Sequence, residues 1–269
     1  MERGRTKRFF GSIKNYFWDI IFPIECLGCR EEETWLCRAC REKIKLNEKL
    51  ICPICKKESP WGKVCPSCQG GSFFDGVIVA APYEQELLQD LIHTYKYQFI
   101  PGLQEPLSEL MITIIKSLIE CKQERLGKII DSGIGSFELN KFMEMPKVFL
   151  EPKKVIIIPV PLHRKRLKER GFNQAELLAQ KLNSFLGARV EAKILFRQRY
   201  TRPQAELGAL DRKENIKGAF VCVPGTNLNG QNIILLDDVF TTGATMQECA
   251  RALKQAGAGE IYGLVLARG

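Results

Sequence analysis

The sequence predicts an α/β chain, a parallel sheet flanked by helices, preceded by a small metal-stabilised module. Three observations predict it. Two continuous apolar runs, Val155-Ile-Ile-Ile158 and Ile233-Ile-Leu-Leu236, have strand length and no polar alternation, as expected of strands covered on both faces. Each is followed by a turn and then by apolar residues at helical spacing: Ala175, Leu178, Ala179 and Leu182 after the first, Met246, Cys249, Ala250 and Leu253 after the second. Ahead of both, eight of the eleven cysteines form four C-x-x-C pairs.

Residues 1–25 form a basic segment with Arg3, Arg5, Lys7, Arg8 and Lys14. Lys14, Asn15 and Asp19 interrupt any apolar core of a signal peptide, so a cytoplasmic location is expected. Phe9, Phe10, Ile13, Phe17, Ile20 and Ile21 can line one helix face, which is expected to pack on the next domain, although a basic amphipathic helix also suits a membrane surface. No apolar run is long enough to span a bilayer. The formal net charge of +9 points to anionic partners without choosing among them.

The cysteine module covers residues 26–70. Its pairs are Cys26/Cys29, Cys37/Cys40, Cys52/Cys55 and Cys65/Cys68. A C-x-x-C knuckle puts two thiolates on one side of a turn, and two knuckles complete a tetrahedral zinc site. Four pairs therefore predict two structural zinc ions, and the short loops between neighbouring pairs favour sequential rather than crossed sites. A reducing compartment disfavours the alternative, disulfides. Cys121, Cys222 and Cys249 read as buried thiols.

Gln69-Gly70-Gly71-Ser72 is a linker, and residues 73–269 form the α/β domain. A strand is expected over 74–82 and a helix over 83–97, with Leu87, Leu88, Leu91, Ile92 and Tyr95 on its apolar side and His93 off it. A second helix covers roughly 107–119, and a charged, glycine-containing insertion follows over about 120–151. The strand at 155–161 is closed by Pro159 and Pro161. Five of the eight positions from 163 to 170 are Lys or Arg, a basic loop suited to pyrophosphate or a nucleic-acid backbone.

After Leu236 come Asp237, Asp238 and the turn Thr241-Thr242-Gly243-Ala244-Thr245. A turn that leads into a helix offers unpaired N–H groups and a positive dipole end, which suit a phosphate. The carboxylates suit a sugar diol beside it, or Mg²⁺. No G-x-x-x-x-G-K-[ST] occurs, so this is not a P-loop. Gly257 and Gly259 stop the helix, and residues 261–266 form a last strand.

The stretch Asp237 to Thr245 closely resembles the phosphoribosyl-pyrophosphate (PRPP) loop of type I phosphoribosyltransferases. Ile158-Pro-Val-Pro-Leu-His163, Arg170-Gly-Phe-Asn-Gln-Ala-Glu-Leu-Leu-Ala179, Arg197-Gln-Arg199-Tyr-Thr201-Arg-Pro203-Gln204 and His93-Thr-Tyr-Lys96-Tyr97 resemble the ComF family. The resemblance implies a double zinc ribbon joined to a type I phosphoribosyltransferase fold, with a mobile flap after Arg197 that folds back into the sheet over 218–223. It implies PRPP held by Asp237, Asp238, Thr241, Thr242, Gly243, Ala244 and Thr245, with Mg²⁺ accompanying the ligand. It also implies work in natural competence on single-stranded DNA, beside a helicase or recombination protein of that machinery.

Two function classes stay open. In one, Arg164, Lys165 and Arg166 act catalytically by offsetting charge on departing pyrophosphate. In the other, Arg164, Lys165, Arg166, Lys168 and Arg170 hold a nucleic-acid backbone. Thr241 stands where purine-salvage enzymes of the hypoxanthine type carry an acidic residue, which argues against 6-oxopurine salvage.

Overall fold

The structure is a computed structural model and describes residues 24–98, 100–132, 145–151, 154–201 and 215–269, with the backbone alone over 121–132. The helix expected near the N-terminus and most of the flap, residues 202–214, lie outside the described residues. The chain divides into two units, one ending at Ile44 and one running from Lys45 to Gly269.

In the first unit, the sulfurs of Cys26, Cys29, Cys37 and Cys40 lie within 4.8 Å of one another. A bridge between Glu25 and Glu32 closes the first knuckle, and helix α1 (Arg38–Lys43) begins at Cys37. The backbone N–H of Cys37 donates to Cys26 Sγ at 3.3 Å. Burial opposes ionisation of the Cys26 thiol, yet the N–H groups of Cys37, Gly28 and Cys29 bring its pKa down to about 6. Zinc at the usual distance of about 2.3 Å from each thiolate would hold them about 3.8 Å apart. Cys29 and Cys37 already sit at 3.6 Å. The residues fit the ion.

The second unit contains the other cysteine group and the sheet. Cys52, Cys55, Cys65 and Cys68 gather within the same 4.8 Å, with helix α2 (Pro66–Gln69) starting after Cys65, so the expected sequential pairing holds. Strands β1 (Gly76–Pro82), β2 (Ile156–Pro159), β3 (Arg189–Val190), β6 (Ile233–Phe240) and β7 (Ile261–Arg268) form a five-stranded parallel sheet in the order β1-β7-β6-β2-β3. Strands β4 (Leu195–Arg197) and β5 (Phe220–Cys222) make a separate antiparallel pair. The segment after the flap thus pairs with β4 and does not rejoin the main sheet, contrary to expectation.

Alternate side chains of a strand face opposite ways. Val77, Val79, Ile156, Ile158, Ile233, Leu235, Ile261 and Val265 join one core with Met246, Cys249, Ala250 and Leu253 of helix α8 (Ala244–Gln255). Cys52, Val64 and Phe74 belong to this core as well. The other side carries α3 (Glu86–Tyr97), α4 (Gln104–Ser132) and α7 (Gln174–Leu186), where Tyr95 Oη donates to the Gln174 carbonyl at 3.0 Å. Two covered faces explain the unbroken apolar runs.

Three segments differ from the sequence reading. Helix α4 continues well past 119 into the charged stretch assigned to the insertion, while residues 133–144 lie outside the described ones. The short helix α5 (Lys147–Leu150) anchors the far end of that insertion, with the Phe149 ring 6.3 Å from Trp61 and 5.9 Å from Tyr262. The basic loop is a helix, α6 (Arg164–Arg170), because His163 Nδ1 accepts from the Lys165 N–H at 3.2 Å and Gly171 ends it at a positive φ of 76°.

Metal analysis is expected to give two zinc ions per chain. Cys26→Ser should lower the ratio to about one and leave unfolding of the sheet unit little changed. Cys52→Ser removes a ligand and alters a core position, so it should also lower the unfolding midpoint of the sheet unit. Full zinc content in either variant would count against the two four-thiolate sites.

Candidate phosphate and sugar cleft

Beyond the carboxyl ends of β2 and β6 the chain leaves a cleft of about 490 Å³. This is where ligands sit in open parallel sheets, and the size falls in the usual small-molecule range. Four structural features position its polar groups.

Strand β6 does not stop at Leu236. Its ladder with β7 continues through Asp237↔Val265 to Phe240↔Arg268, so the acidic pair is carried inside a strand. Alternation then buries Asp238 and leaves Asp237 half-buried. Asp238 pairs with Lys96 of α3 at 2.8 Å, and its N–H donates to Asp237 Oδ1 at 2.9 Å. Burial, together with the neighbouring Asp238 charge, pushes the Asp237 carboxyl up to about 7, against the pull of Lys96 and Arg197. Burial works against the Lys96 ammonium, but the two aspartates outweigh it and hold its pKa above the ordinary lysine value.

The turn follows the strand. Thr241, Gly243 and Thr245 line the cleft, whereas Thr242 and Ala244 do not. Thr242 Oγ1 instead accepts from the Ala244 N–H at 3.4 Å. Gly243 caps α8 at φ 76°, and a Cβ there would lie 2.6 Å from the Phe240 ring. Only glycine fits.

Helix α6 presents Arg166 and Arg170 to the cleft, four residues apart and thus on one face. Arg164, Lys165 and Lys168 are exposed and lie outside the lining. Of the three residues expected to act on pyrophosphate, only Arg166 lines the cleft. Residues further from the motif supply the remaining cations. Lys96 is one, and Arg197 at the end of β4 is another, its guanidinium 5.3 Å over the Phe220 ring. Burial and the Arg166 charge lower the Arg197 pKa from its ordinary value.

The start of α7 completes the wall. Asn173 Oδ1 accepts from the Ala175 N–H, and Asn173 Nδ2 donates to the Val160 carbonyl at 3.1 Å, which fastens this helix to the end of β2. Gln174 Oε1 accepts from Arg170 at 3.1 Å, while its buried Nε2 has no partner among the described residues. Such a donor at a cleft wall is available to a ligand. Arg170 also lies 5.3 Å over the Tyr97 ring.

Sequence reasoning therefore missed Lys96, Arg197 and Gln174 as cleft residues. Each stood within a stretch quoted for another reason, and nothing in sequence spacing reveals that three separate segments meet.

A family model described as a double zinc ribbon domain matches residues 17–69. The chain is 28% identical over 254 residues to Competence protein F of Haemophilus influenzae, covering 92% of this chain and 98% of that one. It is 29% identical over 250 residues to the DNA utilization protein YhgH of Escherichia coli, covering 87% and 96%. With Competence protein ComFC of Bacillus subtilis it shares 28% over 255 residues, covering 88% and 91%. The ribbon match and these alignments over most of each chain support assignment to the ComF family.

Gly243→Ala is expected to lower stability by about 1–3 kcal/mol through backbone strain and collision with Phe240. Chemical denaturation measures it, and an unchanged midpoint would remove the constraint placed on this turn.

Proposed function

We propose that the protein acts in DNA uptake by handling single-stranded DNA, and that its cleft holds a phosphoribosyl group, with PRPP as the ligand to test. The single observation that carries this reading is the meeting, in one cleft, of an acidic pair, a threonine turn at a helix N-terminus, and the cations Lys96, Arg166, Arg170 and Arg197. The turn would receive the 5-phosphate. Asp237, once ionised, would accept from the ribose diol. Arg166, Arg170 and Arg197 would face a pyrophosphate, and Mg²⁺ would arrive as that ligand's own cation. The names of the relatives, competence and DNA utilization proteins, supply the DNA setting.

One observation also favours a second reading, transfer of the phosphoribosyl group to an acceptor. A carboxyl with a pKa of about 7 stands in the same cleft, at the value useful for moving a proton near neutrality. In that reaction the acceptor's nucleophile bonds to C1 of PRPP, the C1–O bond to pyrophosphate breaks, and Asp237 takes the acceptor's proton. Release of pyrophosphate on incubation with candidate acceptors distinguishes the two readings.

Calorimetry with PRPP and Mg²⁺ tests the cleft. Affinity is expected to rise as pH increases through about 7, because the ionised Asp237 carboxylate is the stronger, charge-assisted acceptor for the diol. Asp237→Asn should flatten that profile and weaken binding at pH 8 by about tenfold or more, the worth of one charge-assisted hydrogen bond. Stability moves the opposite way. The folded pKa is raised, so this group's contribution is fully present below the unfolded carboxylate range and is lost as pH rises through about 7. Asp237→Asn should therefore unfold at higher temperature than the parent at pH 8. A pH-independent affinity in the parent protein would sink the sugar assignment.

Single-strand binding should weaken steeply with salt. Replacing the exposed Arg164, Lys165 and Lys168 by Ala should flatten the salt dependence by about 0.7 per phosphate no longer neutralised and leave PRPP affinity intact. Arg166→Ala should do the reverse, weakening PRPP more than DNA. Equal effects of both substitutions on both ligands would mean that the helix serves one undivided site.

A further inference from the structure

Helix α6 carries more charge than its cleft face uses, and the outward side has an aromatic companion. Tyr200 lies just beyond β4, and Lys165 Nζ sits 4.9 Å over its ring centroid. The His163 imidazole meets the same ring edge-on at 5.2 Å and an interplanar angle of 65°. Tyr200 nevertheless keeps 44% of its surface open, so these two neighbours leave much of the ring free. A phenol in this position fills no core.

The ring is also held in place. His163 forms a parallel bridge with Arg197, which fixes the strand end beside the start of α6. Arg199 Nη2 donates to the carbonyls of Asn215 at 3.1 Å and Lys217 at 2.5 Å, fastening the backbone next to Tyr200. An exposed, pre-positioned aromatic with cations at its side and along the adjacent helix is the arrangement that binds single-stranded nucleic acid: cations for the backbone, a ring for a base.

We propose that Tyr200, flanked by His163 and Lys165, is a stacking station for one nucleobase of single-stranded DNA, outside the lining of the phosphoribosyl cleft. The station rests on the single-strand reading above and deepens it. A base stacks on the open part of the Tyr200 ring, while Lys165 and its exposed neighbours on α6 hold the flanking phosphates. Arg166 and Arg170 line the cleft and remain available to PRPP, so one short helix serves two anions.

Equilibrium binding of the full chain tests this with three probes: a short thymidine oligonucleotide, the same strand built of abasic units, and inorganic polyphosphate. Tyr200→Ala should weaken binding of the thymidine strand about fivefold or more, the range for loss of one base stack. It should leave the abasic strand and polyphosphate unchanged, and Tyr200→Phe should bind the thymidine strand like the parent. Zinc content and the thermal midpoint of each variant verify the fold. If the parent binds the thymidine strand and Tyr200→Ala binds it equally well, the station is overturned while the DNA reading stands. The station is overturned in the same way if Tyr200→Ala weakens all three probes alike, since a general loss of charge or fold would then be responsible. If the parent binds none of the strands, the DNA reading itself fails and the station with it.

Discussion

The pairing of β6 with a parallel neighbour on each side, β2 and β7, is the constraint on which the rest of the second unit depends. Both faces of β6 must be apolar as far as the helices reach, and Ile233 to Leu236 meet that demand. Beyond that point only the β7 ladder continues, so the strand runs on past its β2 partner into the cleft wall. Here polar side chains become tolerable, and the pleat dictates that Asp237 and Asp238 point opposite ways. The turn after Phe240 is then obliged to start α8 within three residues, which requires the left-handed Gly243. The acidic pair and the threonine turn are thus neighbours because one strand runs on past its β2 partner.

Electrostatics follow from the same geometry. Two adjacent carboxylates at a partly dry strand end repel each other, and the protein answers asymmetrically. Asp238 is paired with Lys96. Asp237 is left with an N–H donor and an elevated pKa. Arg166, Arg170 and Arg197 bring three further cations to the cleft, and their positive field sits where the ladder's last carboxylates leave off.

The sheet, its two principal strands, both cysteine groups and the acidic turn were legible because each is local. A strand buried on both faces announces itself by composition, a thiolate pair by spacing, and a helix start by glycine and threonine. What escaped was set by tertiary closure. Lys96 reads as a polar residue at the end of an amphipathic helix, and only the packing of α3 against the sheet brings it to Asp238. The run Arg164 to Arg170 reads as a charged loop, because no apolar stripe betrays a helix held by an imidazole cap and a left-handed glycine. Its division into a cleft face and an open face follows only once it is known to be helical. The β4–β5 pair escaped for a related reason: three-residue strands carry too little periodicity to be told from loop.

The second cysteine group has consequences beyond its own knuckles. Arg268, at the end of β7, donates to the Pro53 carbonyl at 3.1 Å inside the Cys52–Cys55 knuckle. Its guanidinium also lies 5.2 Å over the Phe240 ring. Phe240 in turn meets Phe74 edge-on at 6.3 Å and occupies the space that a side chain on Gly243 would need. A continuous wall of contacts therefore runs from a metal knuckle, through one arginine and one phenylalanine, to the turn that caps α8. Zinc held by this knuckle would fix the Pro53 carbonyl and with it Arg268, which backs the ring that shapes the threonine turn. The module read from sequence as a separate ribbon is, in its second half, part of the structure that forms the cleft.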